Sequence, residues 1–168
     1  AEYGDKMSSV LDVKYKTPTE FGGSFALSFL GAELALEGTN KNKSFTYLVG
    51  ARYKTNQYIL NSLETKGEYQ PRFIDVQALL SHKLNDKWDL SFLAYYSANK
   101  YKVVPTSRET DFGTFMEAYR FKVYFDGSEV DNYEMGQAGL TLGFKPNTST
   151  SLKLIASAFT TRESETYD

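Results

Sequence analysis

The chain has 168 residues, with 19 Lys and Arg against 21 Asp and Glu, and it contains no Cys. This near balance of charge excludes a nucleic-acid surface as its main feature, because phosphate binding requires a clear basic excess, and the lack of Cys excludes disulfides and thiolate metal sites. No run approaches the about 18 apolar residues that a membrane-spanning helix needs, which excludes a helical membrane protein.

Alternation of apolar and polar residues dominates the chain, in segments of about ten residues separated by turn residues. In one segment Trp88, Leu90 and Phe92 alternate with Asp89 and Ser91. Strands of a membrane barrel show this pattern because they expose apolar residues to lipid and polar residues to the lumen. The pattern predicts an all-β chain, an antiparallel meander with little helix and strands near residues 24–30, 32–37, 44–55, 73–84, 88–99, 136–145 and 151–160.

The apolar positions of these strands predict a single apolar surface. In a barrel this surface faces lipid, and the aromatic content of 15% suits the aromatic girdles at its borders. A soluble β-sandwich shows the same alternation with the apolar face turned inward, so periodicity alone does not separate the two. The residues expected to share the surface are Leu27, Phe45, Val49, Val76, Leu80, Leu90, Phe92, Leu140 and Leu154.

The predicted connections alternate between short and long. Short polar turns fall at residues 39–43, 85–87 and 146–150, and long segments fall at 56–72 and 99–135. Outer-membrane barrels have this arrangement, with short turns on the periplasmic side and long loops outside. We therefore expect the long loops to share one end of the sheet.

The run from Asp126 to Asp131 has two interpretations. The pair Asp126-Gly127 predicts the turn of a hairpin between residues 120–125 and 129–133. The spaced acids also resemble a calcium loop, but they lack the ligand spacing and the terminal Glu of an EF-hand. The hairpin turn is the simpler interpretation, and a calcium site in an extracellular loop is the alternative.

His82 is the single histidine of the chain, on the same predicted strand face as Leu80 and Leu84. No neighbouring residues supply partner ligands, so we expect a role at the membrane interface or in solvent rather than catalysis or metal binding. No phosphate-cradling glycine loop, nucleophile elbow or metal-ligand cluster is present. The sequence therefore predicts neither an enzyme nor a cofactor.

Charged residues on the predicted strands offer two further candidates. The carboxylates of Glu33, Glu37 and Asp75 lie on polar faces, and paired carboxylates are the mark of a glycosidase. Lumen-facing charges that contact a plug are far commoner in a barrel and are the preferred interpretation. Near or beyond the upper strand ends, the candidates for an anionic ligand or lipopolysaccharide phosphates, with solvation as the default, are Arg52, Lys54, Arg72 and Arg108.

The N-terminal residues carry a resemblance to a known family. The stretch from Ala1 to Lys16 contains Tyr3-Gly4 and then Ser8-Ser9-Val10-Leu11-Asp12. It resembles the closing strand of the plug domain in TonB-dependent outer-membrane receptors, in the form frequent in Bacteroidetes. The following Pro18 and Phe21-Gly22-Gly23 resemble the crossing from plug to first barrel strand. Leu30-Gly31 and the stretch from Pro105 to Phe112 are similar to the barrel of the same family.

The resemblance implies that residues 1–20 are the last plug strand and linker, and that residues 21–168 are the N-terminal part of a transmembrane barrel of about 22 strands. It further implies TonB-driven uptake of a scarce nutrient, a siderophore, cobalamin, glycan or peptide, at the outer membrane of a Gram-negative bacterium. The implied partners are outer-membrane lipid and lipopolysaccharide, the nutrient, and TonB, whose contact segment is expected outside this sequence. Nucleic acid is not among them.

Two alternatives to a receptor remain open. One is a small autonomous outer-membrane barrel that serves as an anchor or adhesin, which about eight strands would close. The other is a soluble β-sandwich that binds carbohydrate. Seven strands leave two unpaired edges, which are costly inside a membrane. We therefore expect a fragment whose structure shows open edges, pairing between copies or a rearranged small barrel.

Overall fold

The computed structural model describes residues 13–62 and 67–168. Residues 13–21 contain no strand, and the earlier part of the plug-like stretch lies outside the described residues. Within the described ranges the chain forms nine strands and one short helix: β1 (Gly22–Ser28), β2 (Gly31–Thr39), β3 (Phe45–Lys54), α1 (Gln57–Asn61), β4 (Gly67–Lys83), β5 (Trp88–Pro105), β6 (Arg108–Gly113), β7 (Ala118–Val123), β8 (Glu129–Asn147) and β9 (Thr150–Tyr167).

Seven of these strands form one antiparallel sheet in the order β1-β2-β3-β4-β5-β8-β9, and β6 pairs with β7. The prediction of an all-β chain with a seven-stranded antiparallel meander and little helix is confirmed. The outer strands β1 and β9 do not pair with each other. The described part of the chain is therefore an open sheet with two free edges, one of the outcomes expected from the odd strand count.

The connections sort by length as predicted. The turns at residues 40–44, 84–87 and 148–149 all lie at one end of the sheet, here the lower end. The long connections that follow β3 and β5 both leave the sheet at the opposite, upper end. One upper connection is short, the two-residue turn Phe29-Leu30 between β1 and β2. The two long loops therefore leave the sheet on the same side.

Four strands extend farther upward than the alternation predicts. β4 begins at Gly67, β5 ends at Pro105, β8 begins at Glu129 and β9 ends at Tyr167. The register of β4 with β5 runs from end to end without a shift. The clear apolar alternation stops near Ala98, which is why the sequence predicts loops above it. Backbone pairing does not require an apolar face, so the strands continue.

The hairpin predicted around Asp126-Gly127 is wrong. The hairpin of this loop pairs β6 with β7 and turns at residues 114–117. Residues 129–133 instead belong to β8, where each has a partner on β5. These long strands provide far more backbone pairing than a hairpin with residues 120–125 would. Gly127 still bends the chain, with a φ of 96°, but it leads into β8.

The sheet is a single layer without a hydrophobic core. Among the described residues no apolar side chain of the strands is buried, Pro18 before β1 is buried, and the buried polar residues are Asp75 and Ser97. Strands of the sheet contact only their immediate neighbours, and the β6–β7 hairpin makes no contact with the sheet. The apolar side chains of the strands must therefore lie on an exposed face.

Gly31 begins β2 immediately after the two-residue turn. Its φ of 144° is one that L side chains rarely adopt, and a Cβ atom here would run into the carbonyl oxygen of Tyr53 on β3. Glycine is the residue that tolerates both conditions. The tight upper turn and the close approach of β2 to β3 both depend on it.

Candidate functional site

One face of the seven-stranded sheet, the apolar face, is apolar across the strands except in its uppermost row, where Glu134 on β8 and Arg162 on β9 follow Ile74 and Ala98. Residues directly opposite each other in antiparallel strands lie on the same side, so the register traces rows across the sheet. One such row contains Phe25, Leu34, Ala51, Val76 and Tyr96. The register places all nine residues that were predicted to share an apolar surface on this face, which confirms that they share it.

The apolar face is uncovered. Leu27 is 75% exposed and Leu154 is 69% exposed, and Phe92 and Leu140 in the middle of the sheet are more than a third exposed. Seven strands about 4.8 Å apart, with an apolar band about eleven residues high on β5, give a face of roughly 1,000 Å². Soluble monomers rarely expose apolar patches larger than a few hundred Å². Such a face requires an apolar environment.

Aromatic side chains border the apolar face at both ends. At the lower border the rings of Trp88 and Phe144 stack with their centroids 4.2 Å apart. At the upper border Tyr53 and Tyr96 lie on the same face. From Trp88 to Ala98, β5 crosses the face in about eleven residues, the upper end of the usual length of a transmembrane strand. The apolar face is thus a band about eleven residues high on β5 with aromatic side chains at both borders.

The opposite face, the polar face, is held by ion pairs. Arg52 Nε donates to Asp75 Oδ2 at 2.7 Å, and Lys54 Nζ lies 2.9 Å from Glu33 Oε1. Asp75 is 3% exposed, and Ser97, directly opposite it on β5, is 2% exposed. Burying a carboxylate is costly unless it is paired and hydrogen-bonded. The Arg52 guanidinium provides that pairing for the buried Asp75 carboxylate.

The carboxylates weighed as a glycosidase site do not form a pair. The register places Arg52 between Glu33 and Asp75 in one row of the polar face. Glu37 lies two rows away and is paired with Lys16, whose Nζ is 2.6 Å from Glu37 Oε2. Each acid is thus engaged with a cation. This is the arrangement expected for structural charges rather than for an acid and base flanking a substrate bond.

The chain before β1 lies against the polar face. Lys16 Nζ donates to Glu37 Oε1 at 2.8 Å. Tyr15 and Lys16 also line a cavity of about 400 Å³ with residues of the polar face that include Ser24 and Gln77. The segment therefore covers part of the polar face and leaves the apolar face open.

His82 lies on the apolar face, in the row of Phe45 and Leu90. Its ring centroid is 6.2 Å from that of Phe45. The residue sits one row above the Trp88–Phe144 stack, near the lower border. This position fits the interfacial role expected from the sequence.

An acidic cluster at the upper end joins residues that the sequence did not bring together. Carboxylate oxygens of Glu129, Asp131 and Glu165 lie within 4.8 Å of one another, on the same side of the sheet as the polar face. Glu165 joins the other two because β9 pairs with β8 and places it opposite Asp131. Burial raises the pKa of Glu129, and the charges of Asp131 and Glu165 raise it further. The Tyr167 hydroxyl donates to Glu165, which raises the pKa of Tyr167 to about 12.

Carboxylates at this spacing suit a hard cation such as Ca²⁺. Exposed acidic groups commonly lie this close without an ion, however, so the cluster alone assigns no function. The calcium interpretation of the run from Asp126 to Asp131 stays a prediction.

The four basic residues predicted near or beyond the upper strand ends fall into three settings. Arg52 and Lys54 lie on the polar face and are occupied in ion pairs. Arg108 lies on β6, outside the sheet. Arg72 lies on the side of the apolar face, directly opposite Lys100. Of these four residues, Arg72 is the one that lies on the same side of the sheet as the apolar face.

The β6–β7 hairpin presents aromatic side chains at the upper end. The rings of Phe112 and Tyr119 stack at 5.9 Å, and Phe115 at the tip is fully exposed. Glu109, Asp111, Arg120 and Lys122 lie on the other face of the hairpin, where Arg120 Nε donates to Asp111 Oδ1 at 2.8 Å. The sequence analysis missed this surface, although the density of aromatic residues in this loop is a signal for it.

Comparisons of the chain with protein-family models, with curated proteins and with solved structures found no match. In the part of the chain that the structure describes, no helix is long and apolar enough to cross a membrane. The function is therefore inferred from the two faces of the sheet and from the resemblance of the N-terminal residues.

Proposed function

We propose that this chain forms part of the wall of a plugged β-barrel that takes up a scarce nutrient through the outer membrane, in the manner of TonB-dependent receptors. The observation that carries the proposal is the apolar face, which runs uncovered across all seven strands between two aromatic borders. Lipid is the environment that such a face suits, because the outward side of a barrel strand is apolar and its borders are aromatic.

The polar face supports a filled lumen on the other side of the wall. Arg52 and Lys54 on this face pair with Asp75 and Glu33, and Lys16 in the segment before β1 pairs with Glu37. A plug that precedes the first barrel strand has to leave the lumen along this face. The proposal therefore assigns residues 1–20 to the end of the plug and its linker, and residues 21–168 to the first part of a barrel of about 22 strands.

In this scheme the protein performs no covalent chemistry. The long upper connections capture the nutrient outside, and the exposed aromatic rings of the β6–β7 hairpin offer contact area for it. Force transmitted by TonB then loosens the plug and admits the nutrient to the periplasm. The nutrient class stays open among siderophore, cobalamin, glycan and peptide, since one scaffold serves many ligands.

The structure does not favour the two alternatives. A small closed barrel requires pairing of β1 with β9, and a soluble sandwich requires a second sheet on the apolar face. Neither arrangement occurs within residues 13–62 and 67–168, and the β6–β7 hairpin makes no contact with the seven-stranded sheet. A barrel wall that continues into further strands accounts for both the open edges and the open face.

Single cysteines test the placement in the membrane, because the chain has no native Cys to interfere. On intact cells we expect a membrane-impermeant maleimide to label Phe115→Cys in the hairpin tip. Ser149→Cys in a lower turn should react only after the outer membrane is permeabilised. Leu140→Cys on the apolar face should resist the reagent in both cases. Equal labelling of all three positions would show that the sheet is not embedded.

The uptake function is tested separately, in a strain from which the gene is deleted. We expect this strain to lose uptake of one radiolabelled nutrient among a siderophore complex, cobalamin, an oligosaccharide and a peptide. Removal of TonB from the parent strain should reproduce the same loss. Uptake that depends on the gene but not on TonB would contradict the receptor mechanism while leaving the barrel intact.

A further inference from the structure

Three basic residues lie on the outward side of the sheet just above the apolar face. Ile74 and Ala98 are opposite each other in the last row of that face. In the next row upward on the same side, Arg72 stands directly opposite Lys100, and Lys102 follows one row higher. Arg72, Lys100 and Lys102 are called the upper basic cluster.

The upper basic cluster has no ion-pair partner in the described part of the chain. Arg72 and Lys100 are both exposed. Like charges directly opposite each other in a sheet repel and destabilise the pairing. An anion between Arg72 and Lys100 would convert this repulsion into two attractive contacts.

The neighbouring residues leave the positive charge in place. Asn132 and Ser164, which continue the row of Lys100 across β8 and β9, are uncharged. The acids on this side are Glu134, one row lower and opposite Arg162, and Glu68, one row above Lys102. Four cations thus face two acids in this region, and the surface is complementary to an anion.

We propose that the upper basic cluster binds phosphate groups of lipopolysaccharide in the outer leaflet. The inference rests on the proposed function, because a barrel in the outer membrane is what places this side of the strands against that leaflet. One row is two residues, or roughly 7 Å along the strand, above the border marked by Tyr53. This is the level of a lipid headgroup. An Arg guanidinium donates two parallel hydrogen bonds to a phosphate, and a Lys ammonium contributes a single positive charge.

The test compares two charge-matched double variants, each reconstituted in vesicles that contain lipopolysaccharide. The first is Arg72→Gln with Lys100→Gln, and the control is Lys41→Gln with Lys87→Gln in the lower turns. We expect the first to bind lipopolysaccharide roughly thirtyfold more weakly, given the contribution of each of the two basic residues near an anionic membrane surface. The control should stay within about twofold of the unmodified protein. Equal binding by the two variants would overturn the inference.

Two further ligands identify the chemistry. The unmodified protein should lose most of its affinity for lipopolysaccharide whose lipid A phosphates have been removed. Inorganic phosphate should compete only weakly, because it has no acyl chains to bind beside the apolar face. Undiminished binding of the dephosphorylated glycolipid, or tight binding of inorganic phosphate, would overturn the assignment. The charge-preserving pair Arg72→Lys with Lys100→Arg should retain most of the binding.

A readout of insertion separates this inference from the proposed function. Trp88 is the one tryptophan of the sequence and lies at the lower border of the apolar face. Brominated lipids should quench its fluorescence in every variant that inserts. If Trp88 is not quenched in the unmodified protein, the proposed function and the inference both fail. If it is quenched and the Arg72→Gln, Lys100→Gln variant still binds lipopolysaccharide normally, the inference alone fails.

Discussion

The two faces of the sheet are built on one backbone and differ in what stabilises them. The polar face is stabilised by ion pairs between its own strands, of which Arg52 with the buried Asp75 is one. The apolar face has no partner in the described residues, and its stability must come from its surroundings. Side chains alternate between the faces at each residue, so a register slip by one residue would exchange them. The register is therefore fixed by the contrast between the two environments.

The largest expected effect comes from placing a charge on the apolar face. Leu140→Arg should destabilise the protein in lipid vesicles by roughly 2–4 kcal/mol, because the guanidinium would enter the hydrocarbon near mid-membrane. The matched control, Gln137→Arg on the polar face, should cost less than about 1 kcal/mol. Urea unfolding in vesicles gives both values. Similar losses in the free energy of unfolding for the two variants would contradict the conclusion that the two faces lie in different environments.

A second variant tests the turn that aligns the first two strands. Gly31→Ala should cost about 1–3 kcal/mol, since the new Cβ would collide with the Tyr53 carbonyl in a backbone conformation that L residues avoid. Gly139→Ala is the control, because its Cβ would meet only Leu93 at 3.9 Å. The same unfolding assay applies. A tolerant Gly31→Ala variant would mean that β1 and β2 can realign.

A smaller effect is expected from the ion pair of the polar face. Arg52→Gln leaves the buried Asp75 carboxylate without its cation and should cost about 1–2 kcal/mol, reduced because the Arg52 side chain is partly exposed. Adding Asp75→Asn should recover part of the loss, since no unpaired charge then remains. A double-mutant cycle measures the coupling. Zero coupling would show that the polar face does not depend on this pair.

The smallest expected effect concerns the acidic cluster at the upper end of the sheet, on the side of the polar face. The folded-state pKa of Glu129 is raised above its ordinary value of 4.5, chiefly by burial and further by Asp131 and Glu165. The folded protein therefore binds this proton more readily than the unfolded chain. The resulting stabilisation is complete below the ordinary value and is lost as pH rises through the raised pKa. In Glu165→Gln the pKa of Glu129, followed by NMR, should fall toward 4.5, and an unchanged pKa would contradict the cluster geometry.

Much of the sheet could be predicted from the sequence because alternation reports which residues face an apolar environment. The lower turns and the nine apolar-face residues follow directly from that pattern. The upper parts of the strands could not be predicted, since above Ala98 neither face is uniformly apolar and pairing depends on distant partners. The hairpin was misplaced for the same reason. Asp126-Gly127 is a sound local turn signal, but the partner of residues 129–133 lies on β5.

The candidate sites were less predictable because they depend on which strands become neighbours. Asp131 and Glu165 lie opposite each other on two strands that are joined by a lower turn. No local sequence pattern predicts that the two carboxylates lie close together. The different positions of Arg52, on the polar face, and Arg72, on the side of the apolar face, likewise cannot be predicted before the register of the strands is known. Arg72 becomes informative only with Lys100 opposite it, a pairing that the shorter predicted strands did not contain.

The single-layer construction has a consequence for how a disturbance spreads. Each strand of the sheet contacts only the strands beside it, so the energy of the sheet is a sum of neighbour terms along one line. A weakened strand in the middle, such as β4, divides the line into two halves that can separate independently. A weakened strand at an edge frays alone. Unfolding of this sheet should therefore proceed from one strand to the next, rather than as a single cooperative loss of a shared hydrophobic core.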